Sequence, residues 1–439
     1  MERTLGKSDI ELPTTGQQAQ SEDQFSAARQ HAYFAMVALA AFGLYWFSSN
    51  VIQAADRMHL FGADTGMYWG LADDDVVDRL GDDAWLDRIT RFHPVTTALA
   101  VGWMKVFSPL TPWIEPRQLL KAMFAAVGAV GVWAAMWAFA AAVPRRYVIA
   151  LGIIYAASLG VWYFASVEES KIVSATLTTL YIAVYLHLRN RWTMRGAMLL
   201  TAVLLFACLN EIIAGLLLII PMVDTLIQRG WNVRGSRWIA LHGLAAPIAL
   251  LFFEAVVNRY LVATGTELEG ASYLSMLRFY VVQYNSLSTT TAYSFLVNWL
   301  FFNIAAPARD ASFVFPETPW DKYFEPAFAN YFLSPISASL IVLFGVMLVA
   351  SVLPRYRAKS VGSLTGILMA LGVYALVRGT FFLIVLPKES LLYASSVTLA
   401  HMLMIAMPFA ASSFPAKPLL LAAFALLLFV INGRFVMGV

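Results

Sequence analysis

Residues 117–146, RQLLKAMFAAVGAVGVWAAMWAFAAAVPRR, decide the fold. The run from 117 to 142 can cross about 30 Å of hydrocarbon as one helix, and it stops at Pro144-Arg145-Arg146. The whole chain agrees with that segment. Of its 439 residues 60% are hydrophobic and only 13% charged, with mean hydropathy +0.67, whereas soluble globular proteins carry about 25% charged residues. A net charge of +3 is too small to point to nucleic acid. One cysteine, Cys208, permits no intrachain disulfide.

Working outward, further apolar runs lie near 31–52, 148–166, 171–189, 196–211, 212–228, 238–262, 331–352, 363–386, 391–413 and 418–436. The expected architecture is an all-α polytopic membrane protein of about eleven transmembrane helices. Residues 1–30 are polar, lack an apolar signal segment and are expected to form a disordered cytoplasmic tail. Basic residues fix the orientation, since short cytoplasmic loops retain Lys and Arg. Alternate loops carry Arg145-Arg146, Arg189 to Arg195, Arg229 to Arg237, Arg355 to Lys359 and Lys417, whereas the opposite set carries Asp73 to Asp75, Glu168-Glu169, Asn210-Glu211, Glu267 and Glu269. The amino terminus is therefore expected inside, with two long outer loops, 53–116 and 263–330, and C-terminal transmembrane helices over 331–439.

The first outer loop separates the first two spans and holds the densest charge in the chain. Two of its pieces are helical in pattern yet too short to span. Asp64 to Val77 presents Met67, Tyr68 and Leu71 on one face, as expected of an interfacial helix. Val95 to Phe107 is apolar for half a bilayer and is followed by Pro109, Pro112 and Pro116. It is preceded by Arg91-Phe92-His93-Pro94, a cation and an imidazole at a helix amino terminus that already favours an anion. Within the spans, Glu254, Arg378 and Arg434 fall in outer halves and point to an outward-opening cavity; snorkelling to the interface or one helix-to-helix bond each is the alternative.

These residues resemble the polyprenyl-phosphate-dependent glycosyltransferases of the GT-C fold, such as aminoarabinose and protein O-mannosyl transferases. Asp64-Thr65-Gly66-Met67-Tyr68-Trp69-Gly70-Leu71-Ala72 is similar to that family's DExxYxxxA stretch, and His93-Pro94-Val95-Thr96 to its K/H-P-P-L stretch. Trp162 to Glu169 resembles the segment that brings an acid to the second outer turn, and Leu386 to Tyr393 the late outer turn ending in an aromatic. Thr65 stands in place of the second acid, Val95 in place of the second proline, and His93 where many members have lysine. The likeness covers most of the chain to about residue 260 and implies a GT-C-like module over 31–262.

What the resemblance implies is sugar transfer from a polyprenyl-phosphate donor on the non-cytoplasmic face of a membrane, by default a bacterial inner membrane. The acceptor would be a glycan, lipid or protein. Such chemistry needs a carboxylate for the acceptor proton and donors for the leaving phosphate. Asp64 is the expected base; Arg91, His93 and Lys388 are the expected phosphate ligands. Tyr68, Glu168, Glu169, Arg378 and Tyr393 are the expected acceptor or cavity residues. No cofactor is expected.

Each residue also has a plainer reading. Glu168 and Lys171 lie three apart and suit a local pair; Tyr68 suits an interfacial anchor; Asp56-Arg57 suits a membrane-edge ion pair. Asp73-Asp74-Asp75 resembles an oxygen-rich divalent site, but such a run is usually a solvated face. His31, His59, His187, His242 and His401 lack zinc spacing and are expected to be interfacial or core. In the second outer loop a helix is expected near 272–284, irregular chain from Pro307 to Pro326 with Arg309 and Asp310 at the cavity rim, and Trp299 among aromatics at the head-group level. Two other classes stay open: a lipid or solute transporter, which predicts broken helices meeting at the midplane, and a non-catalytic polyprenyl-lipid-binding subunit.

Overall fold

The computed structural model describes residues 15–55, 68–72, 93–189, 193–229, 243–252, 255–256, 289–307, 313–314, 323–324, 328–352 and 364–438. Asp64, Arg91, Asp56-Arg57, Asp73 to Asp75, His59, His242, Glu254, Arg309, Asp310 and the helix expected near 272–284 lie outside them. At Lys388 only the backbone is described.

Among the described residues six helices are long and apolar enough to cross a membrane: Ala28–Ala54, Pro116–Ala142, Ser170–Leu188, Thr365–Val385, Ser390–Ala411 and Lys417–Met437. The chain is a helical membrane protein. Burial divides these helices into two groups. Pro116–Ala142, Ser170–Leu188 and Ser390–Ala411 have 78–83% of their most apolar window buried, against 33–44% in the other three. The first group is the bundle's centre, and the second turns leucines such as Leu376, Leu419 and Leu426 outward. Proline at the first turn of the Pro116–Ala142 helix supplies a helical φ and wastes no N–H bond. The Lys417–Met437 helix ends at Gly438, whose φ of 75° closes the last turn.

Several expected spans differ in detail. The first helix begins at Thr15, so helix occupies part of the tail expected to be disordered; Gln17, Gln18, Ala19 and Gln20 tolerate extension from a helix already nucleated in the apolar run. The expected 212–228 span opens as a 3₁₀ segment, Ile212–Leu218, before the Ile219–Arg229 helix. Of 238–262, the Ala245–Phe252 helix is described. Pro94–Phe107 is a helix of 14 residues, in keeping with a segment too short to span. Phe313–Val314 and Tyr323–Phe324 pair antiparallel within the stretch expected to be irregular.

The largest departure is at 145–165. One straight span was expected, but Arg145–Ala157 and Leu159–Ala165 meet at 60°, with extended Ser158 between them. The break is possible because every freed backbone group finds a partner inside the protein. Leu159 and Gly160 N–H donate to the Ile304 and Asn303 carbonyls at 3.0 and 2.9 Å. Asn432 Nδ2 donates to the Ala157 and Ile304 carbonyls, and Asn432 Oδ1 accepts from Ala306 N–H. A Cβ at Gly160 would sit 2.1 Å from Asn303 Oδ1, so glycine is required for this approach. The partner segment, 303–306, follows a helix, Thr289–Val297, and a π turn, Asn298–Phe302. Trp299 is consequently buried against Gly379 and stacked on Phe295, not placed among head groups. Ala292–Phe302 is too short to register as a span, yet it is apolar enough to be drawn into the bundle.

Candidate functional site

The turn that follows the Leu159–Ala165 half-helix sets charged groups in the interior. Ser166 closes that helix by donating to the Trp162 carbonyl, and Ser170 opens the next while donating to Glu169 Oε1 at 2.9 Å. Glu168, Glu169 and Lys171 are all at most 5% exposed. Acids at a helix start gain from the unpaired N–H groups and the dipole. A lysine there does not, so Lys171 is held by other neighbours.

On one side of the turn, Glu168 faces Lys121, Arg117 and Trp69. Lys121 is itself buried and donates to Asn50 and Gln53 at the end of the first span. Arg117 stacks over the Trp69 ring at 4.3 Å. Tyr68 is buried edge-on against Phe124. Burial pushes the Glu168 carboxyl above the usual carboxylate range, against the pull of Lys121 and Arg117. Its Oε1 has no hydrogen bond among the described residues.

On the other side, Lys171, Glu211, Arg378, Tyr393 and His93 converge from five segments. Arg378 is fully buried in the Thr365–Val385 helix, and its Nη2 donates both to Glu211 and to Ser396 Oγ. Its Nε and Nη1 have no hydrogen-bond partner among the described residues. The guanidinium lies over Phe382, which stacks on Tyr393 at 4.0 Å; Lys171 Nζ sits 4.4 Å from the Tyr393 ring centre. Asn210 fastens the neighbouring pieces. Its Oδ1 accepts from Thr96 N–H and Oγ1, its Nδ2 donates to Ser174 Oγ at 2.9 Å, and its carbonyl lies 2.7 Å from His93 Nδ1.

His93 is therefore tied to the bundle, not free at a helix tip. Burial, and after it the Lys171 ammonium, lowers its pKa from 6.5 to about 3 despite the Asn210 carbonyl and Glu211. It is neutral at physiological pH. Among the described residues the site combines two cations, Lys171 and Arg378, with the Glu211 carboxylate, and Glu169 is buried at the adjoining turn. An anion entering here would meet unused guanidinium N–H groups already stripped of water.

Of the expected site residues, the structure gathers His93, Arg378 and Tyr393 into one cluster and places Tyr68 and Glu168 across the turn from it. Glu169 lies between, at the turn itself. Lys121, Ser174 and Ser396 escaped sequence reading, and Asn210-Glu211 was used only for orientation. The Asn-Glu pair closing an apolar run was the available signal for that last site; nothing in the sequence ties Ser396 or Lys121 to it. Among the described residues no three His, Cys, Asp or Glu side chains form a metal-binding group. No protein-family model matches the chain, and no curated protein matches it.

Proposed function

We propose that the protein is an integral membrane glycosyltransferase that moves a sugar from a polyprenyl-phosphate donor to a glycan, lipid or protein acceptor on the non-cytoplasmic face. The observation that carries this reading is Arg378, wholly buried with Nε and Nη1 unpaired among the described residues, in the same cluster as Lys171. Leaving a charged donor buried without an acceptor costs about 1–3 kcal/mol or more, so the position favours occupation by an anion. A lipid phosphate suits it, because the isoprenoid tail can remain in the bilayer while its head enters the polar cluster. In this reading Asp64 is the base that takes the acceptor proton, and Arg91 and Lys388 add to the phosphate contacts. Tyr68, Glu168 and Glu169 border the acceptor side.

The test is transfer of radiolabelled sugar from polyprenyl phosphate in reconstituted vesicles by the native chain, Asp64→Asn and Arg378→Lys. Loss of transfer in both folded variants supports the assignment. Transfer that survives in Asp64→Asn removes that carboxylate from its role, and no transfer by the native chain overturns the proposal.

A transporter is the second reading, and the crossing broken at Ser158 favours it. Its carbonyls, however, are satisfied by Asn432 and by neighbouring N–H groups, so they offer little to a cargo ion. Movement of a lipid or solute without bond cleavage in the same vesicles would distinguish it.

A further inference from the structure

We infer that His93 binds a neutral hydroxyl of the ligand through a lone pair on Nε2, beside the anion held by Arg378 and Lys171, and does not itself hold the anion. The inference rests on the proposed donor-binding reading and sharpens it: the ligand carries an O–H donor next to its negative charge, as a sugar phosphate does and a bare polyprenyl phosphate at the same position does not.

The tautomer follows from the partner. Asn210 O is a carbonyl, which can only accept, so the atom 2.7 Å away from it, His93 Nδ1, carries the hydrogen. A neutral imidazole with its proton on Nδ1 presents a bare lone pair at Nε2. The surroundings keep the ring neutral: Lys171 lies close enough to repel a second positive charge, and burial penalises it further. Glu211 would favour protonation, but it is bonded to Arg378. Nε2 has no hydrogen bond among the described residues, and the ring is only partly buried, so the lone pair is open to a ligand. A phosphate oxygen would meet that lone pair with another and be repelled, whereas a hydroxyl would donate to it.

The positioning is rigid. His93 immediately precedes Pro94, the first residue of the Pro94–Phe107 helix, and Thr96 in the first turn donates twice to Asn210. The same asparagine thus fixes both the helix start and the imidazole. Segments from three parts of the chain hold one acceptor atom in place.

One neutral and one charge-adding substitution separate this role from phosphate binding. The full-length protein in nanodiscs is titrated with two probes, a polyprenyl phosphate and a polyprenyl-phosphate hexose, in the native form, His93→Gln and His93→Lys. A hydroxyl acceptor predicts that His93→Lys weakens the hexose lipid by about 10-fold or more, His93→Gln weakens it less, and neither alters the bare phosphate lipid more than about two-fold. If His93→Lys binds both probes as well as or better than the native chain, the residue is an anion ligand and the inference falls. If the native chain binds neither probe, the donor reading itself fails, a pattern distinct from the first. A ligand-free readout stands beside these: nitrogen-15 NMR of labelled histidine reports Nδ1–H and a neutral ring at pH near 6 if the assignment holds. A proton on Nε2 there overturns it whatever the lipids do.

Discussion

Two arginine–carboxylate pairs lie near opposite ends of the Ser170–Leu188 helix, which is about 28 Å long at 1.5 Å per residue. They differ in how far their hydrogen-bonding groups are used. At the Leu188 end, Arg189 Nε and Nη2 each donate to a different oxygen of Asp224 at 3.0 Å; Tyr185 and Gln228 donate to the same two oxygens at 2.7 and 2.8 Å. Four donors saturate that carboxylate. At the Ser170 end, Arg378 reaches Glu211 with Nη2 alone, shares that nitrogen with Ser396, and leaves Nε and Nη1 unused. A closed pair is a fastener; on the proposed reading the open one, whose arginine is the more deeply buried, receives a ligand. A buried ion pair by itself says little about purpose; its unspent donors say more.

The comparison breaks first on stability. Arg189→Met leaves Asp224, 1% exposed, as a buried carboxylate that has lost its bonded cation, at a cost of about 3–5 kcal/mol. Arg378→Met costs less, because Glu211 retains Lys171 as a neighbour. Reversible unfolding in mixed micelles measures both; equal losses would erase the distinction. Replacing Arg189 and Asp224 together by Met and Leu should restore most of the stability, since an apolar pair of similar volume avoids the desolvation penalty.

The second break is functional. Arg378→Lys keeps the charge and a bond to Glu211 but removes the planar fork with its unused donors. On the proposed reading, sugar transfer falls about 100-fold, the loss expected for one preorganised donor to a developing anion, while the unfolding midpoint moves little. The matching Arg189→Lys change leaves transfer near native and lowers the midpoint. A reversal of these two phenotypes would exchange the roles assigned to the two pairs.

Sequence foresaw one member of each kind of information and missed its complement. Arg378 stood out because a charge inside an apolar span is expensive, and that argument needs no structure. Its partner Glu211 was visible only as a polar interruption between two spans, and Ser396 not at all, because neither proximity nor an unused N–H is written along the chain. Most helices were legible from apolar run length: the expected 117–142, 171–189 and 418–436 spans become Pro116–Ala142, Ser170–Leu188 and Lys417–Met437. The break at Ser158 was not legible. It depends on residues 145 and 274 positions away in sequence: the Asn303 carbonyl accepts from Gly160 N–H, and Asn432 Nδ2 donates to the Ala157 carbonyl. Residues 292–302 misled for the opposite reason, since a short apolar segment rich in aromatics suits a head-group belt as well as a bundle interior.

A subtler probe sharpens the closed pair. A Cβ on Gly366 would lie 2.5 Å from Asp224 Oδ1, and that oxygen already accepts from Arg189 and Gln228. Gly366→Ala must shift either the Thr365–Val385 helix or the carboxylate. It should cost about 1–3 kcal/mol, the usual range for overpacking, read in the same unfolding assay. An alanine accepted there without loss would mean the pair has slack and is not the fastener described.

The smallest effect separates the two ends by pH. His93, beside the open pair, has a folded pKa of about 3 against an ordinary 6.5, so over that interval the unfolded chain binds more protons than the folded one. Stability contributed by the neutral ring is whole above about pH 6.5 and is lost as pH falls toward 3. Glu168 has the opposite sign: its raised pKa means that the folded chain holds the proton longer, and stability declines as pH rises through that region. Thermal midpoints taken from neutral pH down to about pH 5, below the ordinary histidine value, should fall in the native chain, and His93→Gln should flatten that fall because glutamine cannot gain the proton. A difference of one proton sets the upper limit of that slope. A steep acid loss unchanged by His93→Gln would place the responsible group elsewhere and would weaken the case that the open end, not the closed one, is tuned to present a neutral acceptor next to an unpaired cation.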